Sequence, residues 1–103
     1  MIRHLVALRF PPGAHAEVTQ ELMDDLASLS GHIDGILDFQ VRANVSVENE
    51  LVRDFRHLFW FDFRDTAVRD TYLEDPVHQS IGARIVAALD RGPDDLFVMD
   101  FEV

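Results

Sequence analysis

Residues 55–63 run Phe55-Arg56-His57-Leu58-Phe59-Trp60-Phe61-Asp62-Phe63. In an extended chain alternate side chains share a face, so Phe55, His57, Phe59, Phe61 and Phe63 point one way. Leu58 and Trp60 point the other way, between Arg56 and Asp62. A strand this apolar on both faces needs cover on both, which places it at the centre of a sheet. The rest of the chain must supply its neighbours.

Three further segments alternate with the same period. Over 2–10, Ile2, His4, Val6, Leu8 and Phe10 oppose Arg3, Leu5, Ala7 and Arg9, and Pro11-Pro12-Gly13 ends the run. Over 36–45, Leu37, Phe39, Val41, Ala43 and Val45 oppose Asp38, Gln40, Arg42 and Asn44. Over 95–103, Phe97, Met99, Phe101 and Val103 oppose Leu96, Val98, Asp100 and Glu102. Between them lie helical patterns. Val18, Leu22, Leu26 and Leu29 recur at helical spacing over 14–30, with Gly31 placed as a C-cap and an acidic, solvated opposite side. Residues 65–75 and 76–90 form a second helical region, opened by Asp65 and closed by Arg91-Gly92-Pro93. The polar run Ser46 to Asp54 reads as a loop that could rim a pocket.

The order is βαββαβ, the α+β, ferredoxin-like arrangement of a four-stranded antiparallel sheet with its helices on one face. One domain spanning 1–103 fits the 103 residues. Leu5, Ala7, Leu58, Trp60 and part of the last strand leave the uncovered face too apolar for water, which calls for a homodimer closed through the sheet face.

Composition removes several chemistries. The net charge of -10, from 19 acidic against 9 basic residues, repels a phosphate backbone, so nucleic acid is not an expected partner. All the basic residues are arginine, which excludes lysine Schiff bases and a P-loop; the lack of cysteine excludes thiolate nucleophiles and cysteine metal sites. No apolar run reaches the ~20 residues of a membrane span, and the first ten residues lack the form of a signal peptide. A cytoplasmic protein without membrane contact is expected. The remaining chemistry is five histidines, one tyrosine, one tryptophan and carboxylates.

Those groups concentrate at Tyr72-Leu73-Glu74-Asp75-Pro76-Val77-His78. Pro76 cannot continue a helix but suits the first turn of a new one, with Asp75 as its N-cap. His78 then heads the stripe Ile81, Ile85, Leu89, and Gly82 one turn later leaves space beside it. His78 as a base and Tyr72 as an orienting donor form the candidate catalytic pair; the alternative is a packed histidine bonded to tyrosine for stability. His4 and His57 lie on the inward faces of neighbouring strands and would line the same pocket, walled by Met23, Leu26, Phe59, Ile81 and Gly82. A metal site would need His4, His57 and His78 to converge, and no local ligand spacing supports one, so neither metal nor cofactor is expected. His15 and His32 read as solvated surface.

Several stretches together resemble the stress-responsive dimeric alpha/beta barrel (Dabb) family: Ile2-Arg3-His4-Leu5-Val6, Gly31-x-Ile33-x-Gly35-Ile36, His57, Tyr72-Leu73-x-x-Pro76-x-His78 and Val98-x-Asp100-Phe101. The resemblance implies a homodimer whose two sheets form a barrel. A plant member of that family is a polyketide cyclase that closes a ring by aldol condensation without cofactor or metal. His4, His57, Tyr72 and His78 match polar residues of its pocket, the match to His78 being its base. The resemblance therefore implies a cofactor-free cyclase, or a related lyase or isomerase, acting on a small apolar oxygenated ligand. The alternative is a noncatalytic stress-response or ligand-binding dimer. A haem-degrading or monooxygenase role would need Trp60 in the pocket, and its strand parity is opposite to that of His57.

Overall fold

β3 (His57–Phe63) lies inside the sheet of a computed structural model that describes residues 1–103, flanked by β1 (Ile2–Leu8) and β2 (Ile36–Ala43). β4 (Leu96–Glu102) pairs with the other edge of β1, so the order is β2-β3-β1-β4 and every pairing is antiparallel. The helices are α1 (Ala16–Ser28), the single turn α2 (Asn49–Val52), α3 (Thr66–Glu74) and α4 (Pro76–Ala87). The chain is α+β and ferredoxin-like. No helix is long and apolar enough to cross a membrane.

The core lies between the sheet and α1, α3 and α4. Ile2, Val6 and Leu8 of β1 and Phe59, Phe61 and Phe63 of β3 meet Leu22, Met23 and Leu26 of α1, Val68 and Tyr72 of α3, and Ile81 and Ile85 of α4. Each such side chain contributes about 1.5–3 kcal/mol by leaving water, so this layer dominates stability. The opposite sheet face is uncovered. Phe97, Met99 and Phe101 are 52%, 45% and 38% exposed there, beside Leu5, Leu58 and Trp60. Arg3 and Arg42 sit over the Trp60 ring at 5.2 and 5.6 Å, and Arg3 also grips the buried Asp62 with two bonds of 2.9 and 3.1 Å.

Several local expectations are corrected. A bulge between Ile36 and Asp38 puts Ile36, not Leu37, on the helix side, and leaves Leu37 exposed. Val18 and Val45 are likewise exposed. Residues 29–31 continue α1 as a 3-10 turn, so Gly31 is not a left-handed cap; that conformation falls to Gly35, at φ 94°. The 46–54 run contains α2 and ends on two consecutive left-handed residues, Arg53 and Asp54. Strand alternation begins only after them, so Phe55 faces Phe97 across 6.4 Å and lies under Arg9. The strand 2–10 stops at Leu8, where the Arg9 and Arg91 guanidiniums converge on buried Asp95. The Arg91 backbone N–H, and then the two guanidiniums, hold that carboxyl below the usual carboxylate range.

Gly35 sets the spacing between the start of β2 and α3. A Cβ there would come within 2.5 Å of Val68 Cγ2, on a backbone that already disfavours L side chains. We expect Gly35→Ala to lower unfolding free energy by about 1–3 kcal/mol in chemical denaturation. A variant as stable as the native protein would contradict this account of the α3–sheet spacing.

Candidate active site

The site is built on the break between α3 and α4. Asp65 caps α3 by accepting from the Val68 N–H at 3.0 Å. Ten residues later the Asp75 N–H donates to the Tyr72 carbonyl at 3.2 Å, closing α3. The Asp75 side chain then opens α4: its Oδ1 accepts from the His78 N–H at 2.9 Å, and Pro76 occupies the first turn. The chain folds back sharply enough for the Tyr72 and His78 rings to stack, with centroids 3.7 Å apart and planes 28° from parallel.

Tyr72 is 1% exposed, wedged against Phe61 and Phe63 with ring centroids at 5.0 Å in each case. The His4 ring meets it in an edge-to-face arrangement with centroids 5.3 Å apart. His4 projects from β1 into the helix side, and its Nδ1 lies 2.7 Å from Asp100 Oδ1, directly across the β1–β4 register. A carboxylate acceptor there places a proton on Nδ1 and leaves Nε2 as the basic nitrogen. Arg69 of α3 donates to the second Asp100 oxygen at 3.3 Å.

Burial is the main electrostatic influence on all three rings. It lowers the His4 pKa, against the opposing pull of the Asp100 carboxylate. It lowers that of His78 as well; the Tyr72 carbonyl and Asp75 oppose the shift, and His4 adds to it. It raises that of Tyr72, and the nearby Asp100 charge raises it further. Near neutral pH the cluster therefore holds two uncharged imidazoles and an uncharged phenol. The His78 Nδ1 is buried and makes no well-formed hydrogen bond within the chain, although the Tyr72 backbone carbonyl lies close enough to the ring to favour its charged form. A Cβ on Gly82, one turn along α4, would meet nothing within 4 Å, and the main clefts of the chain are lined by neither Tyr72 nor His78. Val98 pairs with Val6 and so faces the helix side, yet is 47% exposed.

The register separates the residues proposed for a single pocket. His4 pairs with Phe61, whereas His57 pairs with Leu8; four residues of strand at ~3.3 Å each put the two histidines roughly 13 Å apart along the sheet. They are too distant to share a ligand atom or a metal ion. His57 packs edge-on against Phe10 at 5.1 Å and, with Met23, Leu8 and Val41, lines a separate cleft of about 790 Å³. Its buried Nε2 also lacks a partner, and burial lowers its pKa. Leu26, Phe59 and Ile81 are buried in the core cluster. Trp60 lies on the open face opposite His57.

Three participants went unrecognised in the sequence. Asp100 and Arg69 support His4; a carboxylate at an inward strand position was the available signal for Asp100. His32, expected on the solvated surface, bonds Asp75 through Nε2 at 2.7 Å although its side chain is 47% exposed. Nothing local to the turn reveals that contact, because its partner is 43 residues away.

A family model described as the stress responsive A/B barrel domain matches residues 2–103. No curated protein matches the sequence. A dimeric ferredoxin-like protein of unknown function from Jannaschia sp. CCS1 has a similar structure, with TM-score 0.87 and 29% identity over 99% of this chain and 98% of its own. A protein from Arabidopsis thaliana has the same TM-score of 0.87 at 24% identity, covering 100% of this chain and 95% of its own. Hydroxynitrile lyase from Passiflora edulis has TM-score 0.82 over 99% of this chain and 92% of its own, and at 14% identity shares the fold alone.

Tyr72 is the chain's one tyrosine, so its ionisation can be read in the ultraviolet without interference from another. Its folded pKa is raised above the ordinary 10.0, so this group's contribution to stability is complete below pH 10 and is lost as pH rises toward the folded value. We expect the phenolate absorbance of folded protein to appear only above pH 10, and at a lower pH in Asp100→Asn than in the native protein. A native midpoint at or below 10 would contradict the described burial.

Proposed function

The chain belongs to the stress-responsive A/B barrel domain family, and on that premise we propose a homodimer that transfers a proton on a small, largely apolar oxygenated ligand without a cofactor. In this reading His78 is the base and Tyr72 the donor. The observation that carries it is the buried Nδ1, without a well-formed hydrogen bond, of an uncharged His78 stacked on an uncharged Tyr72. Removing a proton alpha to a carbonyl needs a neutral base and a donor for the enolate oxygen that develops. His78 takes the proton and Tyr72 O–H bonds that oxygen. The enolate carbon then attacks a second carbonyl of the same ligand, and the new alkoxide recovers the proton from the His78 imidazolium. His4, oriented by Asp100, stands beside Tyr72 as a second neutral imidazole lining the site.

A second reading, a ligand-binding dimer without catalysis, is supported by the cleft at His57. Leu8, Phe10, Met23 and Val41 line it together with His57, whose Nε2 is unpartnered, and with charged groups such as Arg9, Arg56 and Arg91. The His4–Tyr72–His78 cluster would then serve only to fix the fold.

Isotope exchange separates the two. Solvent deuterium should enter the activated carbon of a β-diketone probe faster with native protein than without it. The acceleration should fall about 10²–10⁴-fold in His78→Ala, the usual range for a positioned general base. Equal rates for native and His78→Ala proteins would remove the catalytic reading. A probe-induced thermal shift abolished only by His57→Ala would then favour the binding reading.

The homodimer is supported by the exposed stripe of Phe97, Met99 and Phe101. The Jannaschia relative is itself described as dimeric. Light scattering should give twice the chain mass for the native protein and the single-chain mass for Met99→Asp, which places a charge on that face. A monomeric native protein would contradict the assembly.

A further inference from the structure

The carboxylate that joins α3 to α4 is held at two points. Asp75 Oδ1 accepts from the His78 backbone N–H at 2.9 Å, and Asp75 Oδ2 faces His32 Nε2 at 2.7 Å. The Asp75 side chain is only 13% exposed, and the His78 N–H first, then His32, hold its pKa below the ordinary carboxylate value against the opposing effect of burial. We propose that His32, from the turn between α1 and β2, is the positioning residue for the Tyr72–His78 pair. This inference rests on the reading of His78 as the base.

The argument is geometric. A capping aspartate anchored through one oxygen can rotate about its side-chain torsions, and the first turn of its helix can shift with it. Anchoring the second oxygen removes that freedom. Asp75 also fixes the other partner, since its N–H bonds the Tyr72 carbonyl, so the stacked rings hang from one residue whose side chain His32 holds. The contact spans separate elements and ties the α1–β2 turn to the site.

Other charged groups near this contact do not replace it. Asp34 and Arg64 flank the same surface hollow, but Arg64 lies 3.8 Å from Asp34 and 3.6 Å from Asp65. His32 can donate from Nε2 whether its ring is neutral or charged, so the bond does not require a protonated histidine.

Three variants test the proposal with the ring-proton resonances of His78, followed by NMR. His32→Ala removes the donor, whereas His32→Gln places an amide N–H near the position of Nε2. Asp75→Asn can keep the Oδ1 cap but turns an NH₂ group toward His32. His32→Ala and Asp75→Asn should shift the His78 ring resonances in the same sense, and His32→Gln should return them to their native positions. The deuterium-exchange rate with the β-diketone probe should fall in the first two variants and recover in the third. Unshifted His78 resonances in His32→Ala, or equal shifts in the Ala and Gln variants, would overturn the positioning role. Should His32→Ala not fold, the contrast between Asp75→Asn and His32→Gln decides in the same way. The resonances do not depend on turnover, so shifted resonances with an exchange rate already insensitive to His78→Ala would count against the base and leave the positioning intact.

Discussion

A single carboxylate governs the geometry on which the proposed chemistry depends. Asp75 ends α3 through its backbone N–H, starts α4 through Oδ1, and receives His32 on Oδ2. The break it makes, with Pro76 preventing a continuous helix, lets two side chains six positions apart stack face to face. In an unbroken helix residues six apart lie on different sides. The Tyr72–His78 pair is therefore a consequence of the break.

The sheet supplies the environment for that pair. β3 brings Phe61 and Phe63 against Tyr72, and β1 brings His4 beside it. These apolar surroundings disfavour every charged form, which keeps the imidazoles unprotonated and the phenol protonated. A base and a donor that are both uncharged near neutral pH can act on a carbon acid without first exchanging protons with water. The Arg69–Asp100 pair at the margin offers compensation to His4 while remaining partly solvated.

Much of this was legible in the sequence because it follows local rules. Two-residue alternation located the strands and put β3 inside the sheet, while Asp65 and Asp75-Pro76 marked the helix starts that the hydrogen bonds occupy. The missing parts depend on pairings that no single segment encodes. Register places His57 at the far end of the sheet from His4, and two left-handed residues turn Phe55 away from its expected side. The partners of His4 and His32 lie 96 and 43 residues away, beyond the reach of periodicity. Gly35 carries the left-handed backbone that Gly31 was expected to adopt, because the chain turns tightly where β2 begins and not where α1 ends.

The central claim is that burial keeps His78 an uncharged base although no well-formed hydrogen bond within the chain occupies its Nδ1. Nitrogen-15 NMR of the His78 imidazole, followed through a pH titration of the native protein, tests it most directly. The account predicts a neutral ring at pH 7, with protonation only below the ordinary histidine value of 6.5. An imidazolium at pH 7, with a midpoint above 6.5, would contradict it.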